Sequence, residues 1–163
     1  MLRKINGLKV AAVCLSLVAL SACSSSRPDV AAPNQQSAVP GSERDFISNV
    51  GDRVLFLVDQ STLTPEGQGI LRRQAAWLRQ YPNVTVQIEG HADERGTREY
   101  NIALSARRAA ATRQFLLTQG IPASRISTIA YGKERPVALC EAESCWSQNR
   151  RTVTVITGGA VTG

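Results

Sequence analysis

The 163-residue chain holds 19 Lys and Arg against 13 Asp and Glu, with 43% hydrophobic residues, which is enough for one modest domain and too little for two large ones. Twelve glycines in the whole chain and a charged fraction of 20% exclude collagen-like, low-complexity and coiled-coil classes, and give no support for wholesale disorder. The net charge of +6 is unevenly placed: Arg3, Lys4 and Lys9 stand in the first 22 residues with no acid among them, so sixteen bases face thirteen acids in the remainder, and a net +3 there argues against a nucleic-acid partner.

The basic stretch Met1 to Lys9 leads into an apolar run, Val10 to Leu20, that is too short to cross a bilayer as a stable helix. Together they read as an export signal over residues 1–22. The run closes on Leu20-Ser21-Ala22-Cys23, which resembles a lipobox: small residues admit the signal peptidase and the cysteine thiol is acylated. Cys23 is therefore expected as the lipidated mature N-terminus, several acyl chains anchoring it where one would not. A plain secretory signal with an incidental cysteine is the alternative. Ser24 replaces the aspartate associated with inner-membrane retention, so the expected address is the outer membrane, facing the periplasm. Cys14 leaves with the leader, and Cys140 and Cys145 remain as a pair in an oxidising compartment, where a disulfide is expected. The competing zinc site lacks ligands, since a single Cys-x4-Cys with His91 elsewhere does not make a closed set of four.

From Cys23 to Glu43 the chain is rich in Ser, Ala, Pro and Gln, with no apolar period, and reads as a flexible tether. Such a segment spans roughly 25 Å as a coil and at most about 70 Å stretched. A folded head over residues 44–158 and a flexible tail over 159–163 follow. Arg53 to Val58 is an apolar, β-rich run expected as a buried strand. Thr64, Pro65 and Glu66 give a helix start that continues through Leu71, Trp77 and Leu78 to the breaker Tyr81-Pro82-Asn83. Val84 to Glu89 alternates as a strand, and a polar loop from His91 to Thr97 enters a long helix, about Glu99 to Gln119, closed by Gly120. Ile126 to Tyr131 and Arg151 to Thr157 are two further strands, Val153 and Val155 alternating with threonine in the last. The order indicates an α+β sandwich, βαβαβ followed by a loop and a last β, with helices packed on one face of a mixed sheet.

The polar loop lies where a strand ends and a helix begins, a place that favours charged ligands. On the long helix Leu104, Arg108, Ala111 and Phe115 share a stripe, so Arg108 interrupts an apolar face and needs an anionic partner. Two readings stay open: the arginine snorkels or pairs internally with Asp93 or Glu94, or it grips a ligand carboxylate bidentately. Asp93, Glu94 and Glu99 near His91 also raise glycan hydrolysis by paired carboxylates, but no nucleophile elbow, metal-ligand pair or activated cysteine supports an enzyme.

The run Gly90-His91-Ala92-Asp93-Glu94-Arg95-Gly96-Thr97-Arg98-Glu99-Tyr100-Asn101 is followed by Leu104-Ser105-Ala106-Arg107-Arg108-Ala109, Tyr131-Gly132-Lys133-Glu134-Arg135-Pro136 and Asn149-Arg150-Arg151. With the lipobox, this combination resembles the peptidoglycan-associated lipoprotein family, within the outer-membrane protein A-like (OmpA-like) domains, over roughly Phe46 to Ile156. The resemblance implies a non-enzymatic protein without cofactor or metal that binds the peptidoglycan stem peptide at its diaminopimelate residue. It also implies the periplasmic TolB propeller and the Tol complex as partners, and a role in envelope integrity and constriction. Position by position, it assigns Asp93 to the ligand's ammonium and Arg108, fifteen positions on, to its carboxylate. Asn101 would be a cap or ligand contact, Leu104 and Phe56 apolar walls, and His91 a further loop member of the site. One departure stands out: where the family commonly has Phe-Asp-Phe-Asp, this chain reads Phe56-Leu57-Val58-Asp59, so the first acidic position is lost.

Overall fold

A computed structural model describes residues 38–162; the leader, the lipidation at Cys23 and most of the tether lie outside these residues, as does Gly163. The first turn described forms because the Ser42 hydroxyl accepts from the Asp45 N–H, opening α1 (Glu43–Asp45), which continues as a wider π-type turn over Phe46–Val50. Phe46 is buried against Trp77, ring centroids 4.9 Å apart, and the Trp77 indole donates to the Asp45 carboxylate at 2.8 Å. The two ends of the described residues pair here. Val161 donates to the Gly41 carbonyl at 3.0 Å and bridges Ser42, so part of the expected tail and the end of the expected tether are held against each other.

Four strands make one mixed sheet in the order β1-β4-β2-β3: β1 (Arg53–Leu55), β2 (Thr85–Gly90), β3 (Ile126–Ala130) and β4 (Arg151–Gly158). β4 runs antiparallel to both neighbours, and β2 and β3 run parallel. Helices α2 (Pro65–Gln80) and α3 (Arg98–Thr118) cover one face, giving the expected α+β architecture. The start of α2 is built as its sequence suggests: the Thr64 hydroxyl caps the Gly67 N–H, and Pro65 occupies the first turn, where no N–H is needed. The core gathers Leu71, Ala75 and Leu78 of α2, Val86 and Ile88 of β2, and Leu116 of α3.

Three features differ from expectation, and a fourth was left open by the sequence. First, β1 stops at Leu55 instead of Val58. Leu57 and Val58 are about half exposed in a turn whose Leu57 and Gln60 carbonyls accept from Arg108, so a distant side chain, not local propensity, ends the strand. Second, the buried stripe of α3 runs through Asn101, Leu104, Ser105, Arg108, Thr112 and Leu116, with Ala111 and Phe115 only half-buried at its margin, Phe115 packed against the core. Its polar members find partners: Ser105 accepts from the Gly132 N–H at 3.0 Å, and Thr112 meets the Thr152 hydroxyl at 3.0 Å. Third, a short helix, α4 (Glu143–Asn149), stands in the expected loop before the last strand. Fourth, the alternation in β4 does not choose its inward face, and Thr152 and Thr154, not the valines, turn toward the helices. Thr152 and Thr154 lie opposite Gly90 and Ile88, and Thr154 donates to buried Gln74, whose amide in turn donates to the Gly51 carbonyl at 2.7 Å.

Gly90 sets the distance between β2 and α3. A Cβ built there would stand 2.1 Å from the Ser105 carbonyl oxygen, backbone that cannot turn aside. Gly90→Ala should therefore push α3 off the sheet and destabilise the domain by about 2–3 kcal/mol, measured as a fall in the urea midpoint with little change in slope.

Candidate functional site

The C-terminal end of β2 passes into the loop His91 to Thr97, and the Thr97 hydroxyl caps α3 by accepting from the Tyr100 N–H at 3.2 Å. Lys133 closes the loop from the β3 side, donating to the carbonyls of Glu94 and Gly96 at 3.0 and 2.8 Å. Asn101, buried in the first turn of α3, donates to the Arg95 carbonyl at 2.8 Å. These bonds fix the loop backbone, and with it the carboxylate of Asp93.

Beside the loop is a depression of about 300 Å³ lined by Val58, Asp59, Asp93, Arg95, Gly96, Tyr100, Asn101, Leu104 and Arg108. A larger groove, about 840 Å³, lies between α1 and the end of β4, but Glu43 and Arg44 are the only charged residues among its lining. The smaller depression is the candidate site because charge of both signs converges on it.

Arg108 is fully buried and donates to three backbone carbonyls: Nε to Gln60 at 2.8 Å, Nη1 to His91 at 3.0 Å and Nη2 to Leu57 at 3.1 Å. Its guanidinium lies 5.3 Å from the centroid of Phe56. Burial pushes its pKa down to about 10, with the charge of Asp93 opposing the shift, so it stays cationic at neutral pH. A guanidinium has five N–H groups, and three hydrogen bonds leave one on each Nη. Arg108 therefore neither snorkels nor bonds Asp93 or Glu94.

Asp93 bonds two other arginines. Its Oδ2 accepts from Arg95 Nη2 at 2.6 Å and Arg150 Nη1 at 3.2 Å, and its Oδ1 from Arg95 Nε at 3.3 Å and the Arg95 N–H at 3.2 Å. Burial alone would raise its pKa, but the bonds from Arg95 and Arg150 outweigh it and hold the carboxyl below the usual range. Arg150, itself buried, also donates to the Phe56 carbonyl at 3.1 Å and pairs with Glu143 at the start of α4. At the rim, the Tyr100 hydroxyl donates to Asp59, a residue in the left-handed region at φ 57°.

Of the residues singled out in the sequence, Asp93, Asn101, Leu104 and Arg108 come together at this depression. Phe56 and His91 do not line it: Phe56 is a core side chain beneath Arg108, and His91 contributes its backbone carbonyl to Arg108 while its ring packs 5.5 Å from that of Tyr131. Sequence reasoning missed the roles of Arg95, Arg150, Asp59 and Tyr100, and of Trp146, over whose ring Arg95 lies at 4.3 Å. Arg95, Tyr100 and Arg150 stand inside the quoted motifs, but no local signal says which carboxylate a given arginine will meet. Cys140 and Cys145 form a disulfide across the start of α4, sulfur atoms 2.00 Å apart.

The OmpA family model matches residues 55–150, which contain the whole depression. The chain belongs to the OmpA family, among its peptidoglycan-associated lipoproteins. It is 64% identical to the peptidoglycan-associated lipoprotein of Agrobacterium fabrum over 124 residues, covering 76% of this chain and 70% of the relative. The protein of that name from Haemophilus influenzae is 40% identical over 138 residues, 85% of this chain and 90% of the relative. In structure it is similar to the peptidoglycan-associated lipoprotein of Burkholderia pseudomallei, TM-score 0.66 at 34% identity, covering 70% of this chain and 98% of that one. The C-terminal domain of Helicobacter pylori MotB shares the fold, TM-score 0.62 at 19% identity, covering 66% and 84%. The family is a structural, non-enzymatic one.

His91 offers a test of the site's frame. Its ring is buried with neither nitrogen bonded to protein, and burial, then the charges of Arg151, Arg135 and Arg53, push its pKa down to about 4. The 3.6 Å approach to Glu89 is consequently not an ion pair at neutral pH. Below pH 6.5 the unfolded chain takes up a proton here that the folded chain refuses until about pH 4, so stability should fall across that window by at most about 3 kcal/mol. His91→Phe, which keeps a ring where no polar partner exists, should remove this part of the slope in urea unfolding measured at pH 7, 5.5 and 4.

Proposed function

We propose that the chain is an outer-membrane lipoprotein that holds peptidoglycan non-covalently through the diaminopimelate residue of the stem peptide. The observation that carries the reading is the convergence of Asp93 and Arg108 on one depression at the β2–α3 junction, in a chain similar to relatives named for peptidoglycan association. Diaminopimelate ends in a zwitterion. Its carboxylate takes the two N–H groups that Arg108 keeps free, a charge-assisted contact already oriented by the three carbonyls. Its ammonium goes to Asp93, with Leu104 supplying the apolar wall for the methylenes and Asn101 a polar contact at the helix start. Leu57 in place of the family's aspartate is consistent with this division, because position 57 serves Arg108 through its carbonyl and turns its side chain outward.

In this reading Cys23 carries the acyl anchor, the following residues reach from the membrane toward the wall, and the head joins the two layers. The Tol complex, through TolB, and constriction at division are the context that the family resemblance supplies.

The soluble head should sediment with isolated sacculi and release no muropeptides. A diaminopimelate-containing stem peptide should compete it off, and a lysine-containing one should not. Asp93→Asn should stay folded with a lowered melting temperature, since Arg108 and Arg150 lose the charge between them, and should lose at least about ten-fold in affinity, as expected for removing one partner of a desolvated charge pair. Arg108→Ala should lose both melting temperature and binding, because three carbonyls lose their donor with the ligand. Equal competition by the two peptides would reject diaminopimelate as the recognised group. For the anchor, mass spectrometry of the membrane-bound protein should find an acylated N-terminal Cys23; an unmodified N-terminus elsewhere would refute it.

A further inference from the structure

The carboxylate that should receive the ligand's ammonium is already engaged by two arginines, and the two holds differ in kind. Arg150 is buried and tied behind the site to the Phe56 carbonyl and to Glu143, so it cannot leave without unpairing several groups. Arg95 reaches Asp93 from the depression side, with a side chain 41% exposed. Its backbone is pinned through its carbonyl to Asn101 and its N–H to Asp93, so only the side chain is free to move. The same guanidinium stands 4.3 Å from the Trp146 ring centroid. Trp146 is held in turn by its indole N–H on Glu94 at 2.7 Å and by α4, whose start the Cys140–Cys145 disulfide closes.

We propose that Arg95 is a specificity-determining residue: in the free protein its guanidinium occupies Asp93 as a stand-in for the ligand's ammonium, and a ligand bearing a distal ammonium displaces it from Asp93, leaving it on Trp146 alone. This rests on the diaminopimelate reading above. The exchange replaces one cation by another, so Asp93 stays neutralised throughout while Arg150 keeps its position. The Trp146 face, already in contact in the free protein, is the contact that remains, and it holds the guanidinium more strongly once the carboxylate no longer neutralises it. A ligand with the carboxylate but no ammonium cannot complete the exchange. Arg95 then stays on Asp93 and narrows the depression, and selection for a zwitterion follows because only an ammonium clears that space.

The test is calorimetric titration of the folded head with a stem peptide containing diaminopimelate and with its 2-aminopimelate analogue, which lacks the distal amine. Arg95→Ala should tighten binding of the first peptide about 2- to 5-fold, by removing the competitor, and should tighten the second by more, because the side chain that obstructs it is gone, so the preference for the distal amine falls. Trp146→Ala should weaken the first about 2- to 5-fold in the wild-type background, by removing the displaced side chain's resting place. It should have no effect in the Arg95→Ala background, where nothing needs that place. Wild-type binding that Arg95→Ala weakens or leaves unchanged would overturn the exchange and make Arg95 a ligand contact or a bystander. A Trp146→Ala effect that persists without Arg95 would overturn it too. Wild-type protein that ignores both peptides would instead bring down the diaminopimelate reading, and the exchange with it.

Discussion

The buried guanidinium of Arg108 is the constraint around which this domain is arranged. A cation moved from water into a core is unstable unless its donors are met and its charge is balanced, and an uncompensated buried charge costs about 3–5 kcal/mol. Here the donors are met by peptide carbonyls from two separate segments, the turn after β1 and the end of β2. One side chain on α3 thereby closes the β1 turn against the helix and fixes the point at which β2 gives way to the ligand loop. The exposed Leu57 and Val58 are a consequence: the turn is held by its backbone, so its side chains are released to the surface and to the rim of the depression.

Carbonyls satisfy hydrogen bonds but only partly balance charge, and this is where Asp93 enters. It acts on Arg108 through space, opposing the downward shift that burial imposes, while its bonds go to Arg95 and Arg150. Arg108 and Arg150 repel each other, and Asp93 between them makes their coexistence possible. The site therefore carries an excess of cationic groups around one buried carboxylate, with Asp59 at the rim and Glu143 behind. Such a site suits a ligand that brings an anion and a cation together, since a bare anion leaves the balance at Asp93 unchanged and a bare cation meets three arginines.

Legibility in the sequence follows the range of the interactions. The start of α2 was readable because Thr64 and Pro65 act within one turn, and β2 because Val86 and Ile88 repeat at the pleat's own period. Arg108 was readable as an anomaly, a charge on an apolar stripe, although its partners were not: they lie 17 to 51 positions away and are backbone groups, which no residue type announces. The same blindness explains β1. Val-Leu-Phe-Leu-Val has strand composition throughout, and the residue that ends the strand is on another element. In β4 the alternation does not choose an inward face, and the buried Gln74, itself required to hold the Gly51 carbonyl, makes the threonine face the one that fits. α4 was hidden because Glu143 to Asn149 has little apolar period, and its stability comes from the disulfide, from Glu143 on Arg150 and from Trp146 on Glu94.

These long-range contacts divide the labour between rigidity and exchange. The groups that hold the frame, Arg108, Arg150, Asn101 and Lys133, bond to backbone carbonyls whose positions change only if the fold does. The groups that face the depression with freedom to move, Arg95 and Tyr100, bond to carboxylates instead. A carboxylate can change partners without unfolding anything, because any cation or donor of suitable reach replaces the one that leaves. A carbonyl in a fixed turn offers no such exchange. Recognition at this site is accordingly confined to a small set of side chains on a preorganised frame, and the frame is preorganised because its buried cations are tied to the main chain.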